Sequence, residues 1–130
     1  MTPYPIDAWL RAFVFTQLVE VPVYVLAMRH AQRAGWSERP RELHHQILLA
    51  FGASAITHPM VWYLIPNVAD PRASYALYVA TAESFAVVVE AFYFRSCHVA
   101  WLRRAFVWSV LANALSAGLG AATRYCFGWP

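Results

Sequence analysis

Lysine is missing from this sequence: all ten basic residues are arginine. We read that as a mark of a GC-rich, bacterial genome rather than as chemistry. Charge of either sign is scarce, at 13% of residues against about 25% in an ordinary globular domain. The net charge of +3 would elsewhere suggest a nucleic-acid partner. Here the arginines fall between apolar runs, so they report topology, and no nucleic acid is expected. There are only two cysteines, Cys97 and Cys126, with no C-x-x-C pair. They are expected on opposite membrane faces, so no intramolecular disulfide is expected. Nucleotide loops, the Gly-x-Ser-x-Gly and His-Glu-x-x-His motifs and lipidation signals are all absent. The first apolar run contains Gln17, Glu20 and Pro22. It lacks a basic leader and a small-residue cleavage site, so it is not read as a removable signal peptide.

What the sequence has is apolar length. Its 130 residues are 60% hydrophobic. They divide into four runs at about 8–28, 43–65, 74–94 and 105–123, each near the roughly 20 residues that cross a bilayer. The expected fold is all-α: a single four-helix transmembrane domain of two helical hairpins in a lipid bilayer. Gly35 is expected to stop the first helix. Asp7, and Asp70 followed by Pro71, read as helix N-caps. Four arginines lie in the loop after the first run (Arg29, Arg33, Arg39, Arg41) and three in the loop after the third (Arg95, Arg103, Arg104). One each falls at the remaining positions: Arg11, Arg72 and Arg124. By the positive-inside rule both termini lie outside and loops 29–42 and 95–104 are cytoplasmic, in a bacterial inner membrane. Trp9, Trp62, Tyr63, Tyr75, Tyr78, Tyr125 and Trp129 then form an outer aromatic belt, and Trp36, Tyr93 and Trp101 an inner one.

Each run carries a polar stripe. The first has Gln17, Glu20 and Tyr24; the second Ser54 and His58, with Thr57 beside them; the third Glu83 and Glu90; the fourth Ser109, Asn113 and Ser116. Glu83 and Glu90 are seven residues apart, about 20° short of two helical turns, so they share a face. Counting rise from the cytoplasmic ends puts Glu20 and Asn113 at roughly 12 Å, His58 and Glu83 at roughly 18 Å, and Glu90 near 7–8 Å. Five costly side chains from four helices therefore fall in one slab. Pro22 and Pro59 free the carbonyls of Leu18 and Ala55 beside Glu20 and His58, a device of broken helices that bind cations in transporters.

Three readings follow. Interhelical glue suits Asn, Gln and Ser, but bonds of about 0.6–2 kcal/mol each return little against roughly 2.5–3.5 kcal/mol to insert each carboxyl. Binding or transport of a cation uses Glu20, His58, Glu83 and Glu90, either as ligands for a divalent metal (Zn, Fe or Mn) or as a proton relay. Glu83 and His58 would be the central pair, Glu20 a third ligand, Asn113 the orienting partner and Glu90 a relay on the cytoplasmic side. Gln17, Tyr24, Ser54 and Ser116 would support them. The third reading is an intramembrane enzyme with a Glu/His/Asn site, for which no paired glutamate motif is present. A chain this short is expected to work as a homo-oligomer or with a partner membrane subunit, for which it could also be the accessory.

Overall fold

The structure, a computed structural model, describes residues 5–37 and 39–128. Trp129, assigned to the outer aromatic belt, lies outside the described residues. The chain folds into α1 (Ile6–Arg33), α2 (Leu43–Tyr63), α3 (Tyr75–Ser96) and α4 (Leu102–Phe127), with a 3-10 turn at Ile65–Asn67. Four helical segments are long and apolar enough to cross a membrane, the second reaching from Leu43 through that turn to Asn67. Helices α1 and α4 outrun the expected 8–28 and 105–123 at both ends. Their terminal arginine, histidine and tyrosine side chains can hold polar tips in water while the backbone stays helical.

Two start signals are corrected. Asp7 sits inside the first turn of α1, which follows Pro5, and pairs with Arg11 at 3.0 Å. Asp70 does not start α3. Its carboxyl accepts from the Arg72 N–H at 2.9 Å, and its carbonyl accepts from the Ala73 and Ser74 N–H groups. That local bonding closes a turn in place of a helix. The cap is Ser74, whose hydroxyl accepts from the Leu77 N–H at 3.3 Å. Gly35 does end α1. At φ 69° it allows Trp36 N–H to reach the Ala31 carbonyl at 2.8 Å and its own N–H to reach Gln32 at 3.1 Å, a Schellman closure. His98, at φ 54°, takes glycine's place in the same closure of α3, where Val99 N–H meets the Phe94 carbonyl at 3.0 Å. Helices α1 and α2 continue through Pro22 and Pro59 without interruption.

The helices pack as a ring. Helix α1 packs along α2 and α4, and α3 along α2 and α4, while among the described residues the backbones of the diagonal pairs stay more than 8 Å apart at every Cα and only side chains reach across. The ring is apolar outside and small or polar inside. Leu10, Leu18, Leu26, Leu48 and Leu111 are exposed, while Ala50, Ala53, Ala105 and Ala112 are buried with Glu20, Glu90, Ser109 and Asn113. A soluble bundle has the opposite arrangement, and so wide an apolar exterior is suited to lipid.

At the end carrying connections 34–42 and 97–101 the ring is filled. Tyr24, Met28, Ala91, Phe94, Val99 and Ala105 form one buried cluster, with the Tyr24 and Phe94 rings 4.6 Å apart. The connections tie together over it. The Arg41 guanidinium donates to the Cys97 carbonyl, and Gln46 donates to Gln32 and, at 3.1 Å, to the Arg41 carbonyl. Arg104 donates to the Trp36 carbonyl at 3.3 Å and lies 4.5 Å from the center of its ring. A Cβ added at Gly52 would come within 2.7 Å of the Tyr93 hydroxyl, so this glycine makes room for that ring.

Candidate functional site: a polar cavity between four helices

Toward the other end the helices part around a cavity of about 620 Å³. All four line it. Its depth holds Glu20, Thr57, His58, Glu83, Glu90, Asn113 and Ser116, and its lining extends to Arg72 in the 64–74 connection and Arg124 near the end of α4.

Two carboxyl groups at the floor are braced by side chains from the other helices. Glu20 accepts from Ser54 at 2.5 Å and from Ser116 at 2.6 Å, joining α1 to α2 and α4. Glu90 accepts from Thr57 at 2.9 Å, from Asn113 at 2.6 Å and from the Tyr24 hydroxyl, joining α3 to the other three. Asn113 also donates to the Ser109 carbonyl at 3.0 Å, one turn back, which fixes the amide's direction. Both carboxyl side chains are almost fully buried. Every donor lies at a polar position on a helix face that the ring turns inward, which is why a polar stripe in an apolar run was the useful signal.

Glu83 differs. It is half-buried, lines the cavity two turns beyond Glu90, and has no hydrogen-bond partner among the described residues. His58 is 8% exposed and stands among rings: Phe13 at 5.3 Å, Trp9 at 5.9 Å and Trp62 at 5.9 Å between centroids. Its Nδ1 is buried with no hydrogen-bond partner among the described residues. The Gln17 amide is likewise buried and unpartnered there, so Gln17 shares the stripe with Glu20 without joining its hydrogen bonds.

Two features escaped the sequence reading. Thr57, placed only beside the stripe, is the α2 donor to Glu90. It lies three residues after Ser54, and that spacing was the available signal for a shared face. Counting rise from helix ends also set Glu90 apart from Asn113, whereas they are bonded. Rise counted from helix ends therefore does not decide which side chains meet.

Among the described residues these side chains do not gather into a metal cage. Among the described residues, the only three His, Cys, Asp or Glu side chains whose ligand atoms gather within 4.8 Å are Glu42, His44 and His45, all exposed. Glu20, His58, Glu83 and Glu90 do not form such a group, and divalent-metal sites need three or four ligands at about 2 Å from one ion. No protein-family model, curated protein or solved structure matches this chain.

Proposed function

We propose that this chain is an integral membrane protein, two helical hairpins with both termini outside the bacterial inner membrane, that takes a cation into the cavity between its spans. One observation carries the reading: three carboxyl groups, Glu20, Glu83 and Glu90, line one cavity bounded by helices that are otherwise apolar. Ionised carboxyls in such surroundings repel one another and lack solvent, so a cation or proton entering the cavity lowers their energy. The hydrogen bonds divide the labour. Glu20 and Glu90 are structural braces, and Glu83, without a donor among the described residues, meets the cation. His58 lines the same cavity and supplies an imidazole.

The packed cluster of Tyr24, Met28 and Phe94 beyond Glu90 supports a site reached from one side only. Crossing would then require that plug to open, and a homo-oligomer or partner subunit would complete the path. A proton or an organic cation fits better than a bare divalent metal, because the buried ligands stand apart.

The test is flux and metal content on purified protein in vesicles. Wild type is expected to carry protons or an amine inward with no stoichiometric metal, and Glu83→Gln to lose that flux while keeping its fold. Unchanged flux in Glu83→Gln would remove the site. Stoichiometric zinc, iron or manganese lost in His58→Ala would restore the metal reading.

A further inference from the structure

The cavity is far larger than a proton or an ion needs. Its volume of about 620 Å³ compares with about 30 Å³ for one water and lies within the roughly 300–1,000 Å³ of small-molecule pockets. Its charges are also ordered along its length. Glu83 lies inside, eight residues or about 12 Å along the helix from Tyr75 at the start of α3. Arg72 and Arg124 lie toward the helix ends. Both arginines are exposed, and neither side chain has an ion-pair partner among the described residues, where Arg11 by contrast is held by Asp7.

A second observation points to a ligand. His58 lines the cavity and is more than nine-tenths buried, and its Nδ1, itself shielded from solvent, has no hydrogen-bond partner among the described residues. Trp62, Tyr75 and Tyr78 also line the cavity, rings of the kind whose faces attract ammonium groups.

We infer that the cavity binds a small zwitterion, an amine and a carboxylate on one short chain, with the ammonium at Glu83 and the carboxylate at Arg72 and Arg124. This rests on the cation reading and narrows it. A simple cation would have to pass two unpaired arginines with nothing to offer them. A simple anion would satisfy the arginines and then face Glu83. Only a molecule with both charges, cation inward, matches the order of the groups. The His58 imidazole can exchange a hydrogen bond with the amine or with an intervening polar group of the ligand.

The experiment uses three probes of equal chain length: γ-aminobutyrate, butylamine and butyrate. Binding to the full chain in nanodiscs is followed by calorimetry and by tryptophan fluorescence. We expect γ-aminobutyrate to bind about tenfold or more tighter than either single-charge probe, as one added charge contact allows. Arg72→Gln with Arg124→Gln should reduce it to the level of butylamine while leaving butylamine no weaker. Glu83→Gln should weaken both amines and spare butyrate. Circular dichroism confirms that each variant is folded. Equal binding of butylamine and γ-aminobutyrate to wild type would overturn the zwitterion and leave the cation reading intact. Absence of binding by any probe would also overturn it, with proton flux in vesicles then deciding the cation reading separately. Tightest binding by butyrate would overturn both.

Discussion

The two ends of this molecule use the same four helices in opposite ways. Near connections 34–42 and 97–101, Tyr24, Met28 and Phe94 fill the space between helices, and arginine and glutamine side chains tie the connections across the top. Toward the termini the residues facing inward are smaller, among them Ala12, Ala82, Ala86, Ala117 and Gly120, and a cavity remains. Glu20 and Glu90 stand at the boundary and belong to both halves: their hydrogen bonds hold the ring together, and their surfaces close the cavity floor. The lesson is that intramembrane carboxyls of similar insertion cost can do different work. A carboxyl with three donors is part of the frame, and one with no donor among the described residues is free to meet a ligand.

That contrast can be broken by substitution. Glu90→Ala should have the largest effect, about 3–5 kcal/mol of stability, because Tyr24, Thr57 and Asn113 all lose their acceptor in a buried setting. Denaturant unfolding in mixed micelles measures it, and a loss below about 1 kcal/mol would show that Glu90 is not a brace. Gly52→Ala pushes on the Tyr93 ring in the filled half and should cost about 1–3 kcal/mol. Adding Tyr93→Phe, which removes the hydroxyl in the way, should recover part of that loss in a double-mutant cycle. Ser54→Ala or Ser116→Ala should each cost about 0.6–1.7 kcal/mol. The pair should be non-additive, because both bond the same carboxyl. Glu83→Gln should change stability by less than about 0.5 kcal/mol, since no protein bond is lost, yet it should weaken amine binding. If Glu83→Gln destabilised as much as Glu90→Ala, the division between brace and binding group would fail.

Much of the fold was legible in the sequence because membrane helices are written in apolar length. Four runs of spanning length gave four helices, and Gly35 ended α1 through its positive φ. The caps were less legible. Asp70-Pro71 has the composition of a helix start, but the Asp70 carboxyl bonds the backbone two residues on, and Ser74 caps α3 instead. The polar cluster could be read as a set, because Glu20, Glu90, Ser54, Asn113 and Ser116 stand out against apolar neighbours. Their pairing could not. Which donor meets which carboxyl depends on helix rotation and stagger, and one residue of rotation (about 100°) separates Thr57, which reaches Glu90, from His58, which sits among rings. The arginines of the rim were legible only as topology markers, since nothing in the sequence places Arg72 and Arg124 at the same cavity.

The most direct test of the central claim, a polar cavity open at one end and closed at the other, is chemical access. With Cys97→Ser and Cys126→Ser removing the native thiols, Ala117→Cys places a thiol in the cavity wall and Ala105→Cys one in the filled half. In sealed vesicles, a small water-soluble methanethiosulfonate reagent should modify the cysteine at 117 from one side only, faster in its cationic than its anionic form, and leave that at 105 untouched. Modification at 105, or equal modification at 117 from both sides, would contradict the account.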